Sequence, residues 1–112
     1  MKLNLPLPED KKLTVIFRVE SGSLGPNGAD HVEPFCQQAR EVFKTIDSDF
    51  IKWQILPRHD KSLAEMAFKV LNKNLTHDQA EQYLAVFEKS LDEFEDHLIQ
   101  TLAQLVGEYL GH

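Results

Sequence analysis

Arg58-His59-Asp60 places a histidine between a guanidinium and a carboxylate, directly after the run DFIKWQILP. A histidine beside an aspartate can take up a proton in a reaction. Strand ends present such side chains to clefts. Residues adjacent along the chain, however, seldom orient one another as a catalytic triad requires. The same three residues also suit a polar strand-to-helix turn, with Asp60 as an N-cap. No residue is therefore assigned a catalytic role.

Gly22, Gly25 and Gly28 punctuate the segment SGSLGPNGAD between an expected strand and an expected helix. Phosphates bind in such places, where helix N-terminal N–H groups point outward. The spacing matches neither G-x-G-x-x-G nor a P-loop, which needs Gly-Lys-Ser/Thr. Asp30 and Glu33 also put negative charge where a phosphate would sit. The plainer reading is a connector whose glycines supply turns.

Five histidines raise the question of a metal. Glu93 and His97 stand four apart, as do His77 and Glu81, and Asp96 adjoins His97. That spacing suits two ligands of one ion and equally an ordinary solvent-facing pair. Without a third and fourth ligand at a recognised spacing, no metal and no other cofactor is implied. Cys36 falls near a helix start, where a thiol can be activated. It also lies on an apolar stripe, where cysteine acts as a small hydrophobe.

Trp53 with Phe50, Lys52 and Arg58 resembles an aromatic-basic patch for single-stranded nucleic acid. Trp53 is in phase with Ile51 and Ile55, which points instead to core packing. Lys52, Arg58, Lys61, Lys69 and Lys73 remain the basic-rich stretch of the chain and a local site for an anionic partner.

These residues need elements to position them. KKLTVIFRVE alternates, with Leu13, Val15, Phe17 and Val19 on one face, and reads as a strand. Val32, Phe35, Cys36, Ala39, Val42, Phe43 and Ile46 form a helical stripe, with Asp30 near the cap and Pro34 in the first turn. Asp49–Pro57 reads as a second strand. Leu63, Met66, Ala67, Val70 and Leu71 suggest a short helix near Ser62–Asn72, opened by a Ser62-Leu-Ala-Glu65 capping box. Thr76-His-Asp-Gln79 is a second capping box and opens an element that can run to Leu110.

That last element carries Leu84, Phe87, Leu91, Phe94, Leu98, Leu102, Leu105 and Tyr109 at heptad-like steps, with a stutter near Leu98–Leu102. As one helix it spans about 50 Å, whereas a domain of this length is roughly 35 Å across. It therefore overhangs the monomer, or it breaks near Gln100–Thr101. Beside the seam, Glu81, Glu88, Asp92 and Glu95 fall in one sector, which continues as Ile99, Val106 and Leu110. The widening apolar arc implies burial on more than one side.

The expected fold is a single α+β domain over residues 1–112, in β-α-β-α-α order. Two strands make a marginal sheet. A third strand around Leu3–Leu7 or a dimer partner is expected to complete it.

Formal net charge is −6, and it is unevenly spread. Residues 76–112 hold eight acidic residues against Lys89 alone. This disfavours nonspecific nucleic-acid or anionic-membrane binding. One cysteine and an N-terminal segment without a signal-like apolar core suggest a cytoplasmic protein.

Two functional readings follow. The first is a non-catalytic, homodimeric interaction module. Its acidic face (Glu81, Glu88, Asp92, Glu95), continued by Ile99, Val106 and Leu110, meets a basic protein partner. The second is a small-ligand (phosphate or metabolite) binding protein or small enzyme, built on the loop 21–30 and the Arg58-His59-Asp60 turn.

Overall fold

A computed structural model describes residues 5–111. Among the described residues the fold is α+β: a four-stranded mixed sheet and three α-helices. The strands are β1 (Leu13–Val19), β2 (Ile51–Pro57), β3 (Met66–Val70) and the two-residue β4 (Lys73–Asn74). The helices are α1 (Gly28–Phe43), α2 (His77–Val86) and α3 (Leu91–Tyr109).

Sheet order is β2-β1-β3-β4. β1 pairs parallel with β2, in register Leu13↔Ile51 to Val19↔Pro57, and antiparallel with β3 through Val15↔Phe68. Parallel neighbours need a crossover, and α1 supplies it. The expected alternation in β1 is present. Leu13, Val15, Phe17 and Val19 are buried in the core with Ile51, Ile55 and Phe68, and the helices add Phe35, Phe43, Leu84, Leu91, Phe94 and Leu98. Ile16, on the other face, is also buried.

The Ser62–Asn72 helix does not form, and Ser62-Leu-Ala-Glu65 is not a capping box. Met66–Val70 is a strand instead. The apolar positions fit either period, and pairing with β1 decides between them, because it buries Phe68 against Val15. Leu63 and Leu71, which the helix would have buried, are 45% and 59% exposed. Leu71 and Asn72 both adopt positive φ, at 52° and 64°. That is the two-residue turn geometry that matches strand twist in a hairpin.

The sheet is thus completed from within the chain. Leu5–Leu7 are not in a strand, and Leu3 and Asn4 lie outside the described residues.

The last element is two helices. α2 ends at Val86, Glu88 turns with φ 61°, and Ser90 caps α3 by accepting from the Glu93 amide. The break lies at Phe87–Ser90, not at Gln100–Thr101, where α3 continues and the Thr101 hydroxyl donates to His97 O at 2.7 Å. A 19-residue helix is about 28 Å long, so the overhang disappears. The seam itself survives the break. Leu84, Leu91, Phe94, Leu98 and Leu102 are buried, and Phe87, Leu105 and Tyr109 pack against them partly buried.

α1 starts earlier than expected, at Gly28, with Asn27 before it. Pro34 therefore falls inside the helix rather than in its first turn. The helix continues past it with one backbone bond forgone, since proline has no N–H to donate to the Asp30 carbonyl.

Candidate functional site

Two of the three glycines of loop 21–30, Gly25 and Gly28, are required by the backbone. Ser21–Leu24 forms a 3-10 turn pinned by buried Leu24. The amides of Ser23, Gly25 and Gly28 donate to Glu20, Gly22 and Gly25 carbonyls, so they do not point into a phosphate cradle. Gly25 needs its freedom at φ +89°. At Gly28 a Cβ would stand 1.7 Å from the Ser21 carbonyl oxygen, so only glycine lets α1 start against this turn. A Cβ at Gly22 would meet nothing within 4 Å.

Arg58, His59 and Asp60 are not brought together as a catalytic group. Arg58 closes the sheet end: its amide donates to Val19 O at 2.9 Å and its guanidinium to the Glu20 carboxylate at 2.5 Å. Its second amino group donates to the Lys61 and Leu63 carbonyls, which holds the loop before β3. His59 is exposed and its Nε2 lies 3.7 Å from Glu33. Asp60 turns to Ser62 instead, accepting from its hydroxyl at 2.6 Å and its amide at 2.9 Å. Those two bonds hold the Asp60 carboxyl below its ordinary range.

Cys36 is fully buried in α1, and burial pushes its thiol up to about 11. That is opposite to what a nucleophile needs. The aromatic-basic patch dissolves as well. Phe50 stacks on Phe87 with centroids 4.2 Å apart, and Trp53 stacks on Phe94. Lys52 belongs to the other face of β2, and Arg58 is committed to Glu20.

The histidines divide. His77, Asp78 and Glu81 at the start of α2 present ligand atoms within 4.8 Å of one another, all on exposed side chains. The Nε2 of His77 also faces Glu95 of α3 at 3.5 Å. Glu93 and His97 line a surface cleft with Asp47, Lys89, Ser90 and Phe94. The expected capping box at Thr76 is present: the Gln79 amide donates to Thr76 Oγ1, and the Thr76 amide to Gln79 Oε1.

The acidic sector is redistributed by the break. Glu88 sits in the turn, Glu95 is half-buried against His77, and Glu81 belongs to α2. In the N-terminal half of α3 the exposed carboxylates are Asp92, Glu93 and Asp96, and the same side continues into Ile99 (51% exposed), Gln100 and Ala103; Glu108 is exposed near the other end of the helix. Lys89 lies 4.0 Å from Asp47. Val106 and Leu110 are half-buried.

One feature was not legible in the sequence. A cavity of about 320 Å³ opens beside the carboxyl end of β1, lined by Phe17, Val19, Phe35, Leu102, Ala103 and Val106, with Glu20, Ser23 and Glu65. These residues come from four separated segments, and no local spacing connects them.

Comparison with protein-family models, curated proteins and solved structures gave no match. Among the described residues, no helix is long and apolar enough to cross a membrane.

Proposed function

We propose that this chain is a non-catalytic interaction module whose acidic helical surface receives a basic protein partner. The observation that carries this reading is charge segregation on the C-terminal helices. Residues 76–112 hold eight carboxylates against Lys89 alone, and Asp92, Glu93 and Asp96 stand exposed on consecutive turns of α3. Such a surface speeds encounter with a cationic partner and repels anionic ones. Ile99, next along the same side, adds an exposed apolar contact to the charged ones.

A lysine-rich amphipathic peptide tests the reading when titrated into the full chain at two salt concentrations. Amide shifts should concentrate on residues 92–99, and affinity should fall with salt. Asp92→Asn, Glu93→Gln and Asp96→Asn combined should weaken binding about tenfold or more. Equal binding by that variant, or shifts elsewhere, would overturn the proposal.

Homodimerisation forms the second part of the reading, and it now rests on one argument where the sequence offered three. The sheet needs no partner strand and the helix does not overhang. What supports self-pairing is the run Ile99, Ala103, Val106 and Leu110, whose 4-3-4 spacing makes a second seam on α3 beside the one packed inward. An isologous pairing would bury this seam in both copies.

A further inference from the structure

The cavity beside the carboxyl end of β1 has the make-up of a small-molecule site. At about 320 Å³ it is near the lower end of the usual range for ligand pockets. Its walls are apolar and come from different elements: Phe17 and Val19 from β1, Phe35 from α1, and Leu102 and Val106 from α3. All but Val106 are fixed in the core, so the shape is preformed. Ala103 is exposed on α3, and its small side chain leaves the mouth open.

The charged side chains in the lining, Glu20 and Glu65, carry one sign, with Glu20 paired to Arg58 and the Arg18 guanidinium donating to Ala64 O beside Glu65. Ser23 contributes a hydroxyl, and among the described residues no lysine or arginine lines the cavity. Glu65 is exposed and, among the described residues, has no ion-pair partner. An apolar floor with a carboxylate at its rim complements a hydrophobic body that ends in a positive charge, and it repels an anion of the same shape.

We propose that this cavity binds a small organic cation, a primary amine carried on an aromatic or branched apolar body. The body displaces water from Phe17, Phe35, Leu102 and Val106. The ammonium group lies at the mouth, donating to the Glu65 carboxylate and the Ser23 hydroxyl. None of Asp92, Glu93 and Asp96 lines this site, but Ala103 and Val106 do, and they also belong to the seam proposed for self-pairing, so the ligand and a second copy would compete for this face.

Three probes of one shape test the proposal: 2-phenylethylammonium, 2-phenylethanol and 3-phenylpropanoate, each titrated into the full chain and followed by NMR. The amine should bind about fivefold more tightly than the alcohol and more than tenfold more tightly than the carboxylate, the range expected of a partly exposed ion pair. Shifts should fall on Phe17, Phe35, Leu102 and Val106. Glu65→Gln should bring the amine down to the affinity of the alcohol. Ala103→Phe, at an exposed position that leaves the core intact, should block both. The proposal is overturned if no probe binds at millimolar concentration, or if the carboxylate binds as well as the amine. It is equally overturned if either variant leaves the affinity for the amine unchanged.

Discussion

The indole of Trp53 lies flat against the ring of Phe94, with centroids 5.5 Å apart and planes 11° from parallel. Its Nε1 donates to Ile46 O at 2.9 Å. One side chain of β2 thereby holds both the N-terminal half of α3 and the turn after α1. Phe94→Ala should cost about 3–5 kcal/mol, since the ring is buried and its loss would also strip the indole of its stacking partner. Urea unfolding followed by circular dichroism measures the loss. A change under 1 kcal/mol would show that α3 is not anchored here.

Gly28→Ala and Gly22→Ala separate the two accounts of the glycine loop. The first drives a methyl group into the Ser21 backbone and should destabilise by about 1–3 kcal/mol or more. The second meets open space and should stay within about 0.5 kcal/mol of the parent. Thermal unfolding of both variants decides the matter. Equal penalties would mean that Gly22 has a role the contacts do not reveal.

Cys36 should resist 5,5′-dithiobis(2-nitrobenzoate) at pH 8 in the folded chain and react fully in urea. Its thiol has no solvent access, and its ionisation is pushed up to about 11 from an ordinary value near 9. The folded pKa is raised, so its contribution to stability is present in full below about pH 9 and is lost as pH climbs towards 11. Tyr83 acts in the same direction, because burial raises its phenol while the hydroxyl donates to Lys11 O. Urea midpoints should therefore fall in this alkaline window, and the fall should be shallower in Cys36→Ala.

Ile99→Glu tests self-pairing without touching the core or the cavity lining, since Ile99 is half-exposed. Light scattering on the parent should give twice 12.9 kDa at tens of micromolar, and the variant should give 12.9 kDa with an unchanged fold. A parent mass of 12.9 kDa ends the homodimer proposal and leaves the basic-partner surface untouched.

β1, β2, the body of α1 and the inward seam of the last helices were legible from their periodicities, although Val42 of the expected α1 stripe is 40% exposed and Ile46 lies beyond the helix end at Phe43. Residues 62–72 were not. Met66, Phe68 and Val70 fit period two, while Leu63, Met66, Ala67 and Val70 fit a helix, and only β1 on the other side of the pairing decides. The Phe87–Ser90 break did leave a trace. Ser90-Leu-Asp-Glu93 has the same S-x-x-E form that marks other helix starts, and Ser90 does cap α3. The continuous seam concealed it, since the heptad steps carry on through the turn. As for the candidate sites, single residues were legible but their partners were not. Arg58 was visible as a cation, yet its engagement by Glu20, 38 positions away, is a product of strand pairing.

The place of β1 between β2 and β3 bears on how the chain reaches its fold. Both of its neighbours lie downstream, the nearer beginning at Ile51 opposite Leu13, so β1 has no sheet partner until the chain is half made. Such sequence-distant pairings slow folding relative to a helical bundle of equal length. During synthesis, the hydrophobic side of β1 would have only the emerging α1 to shelter it. In the finished molecule the order reverses: amides of β1, bonded on both flanks, should be among the last to exchange with heavy water, well after those of the two-residue β4.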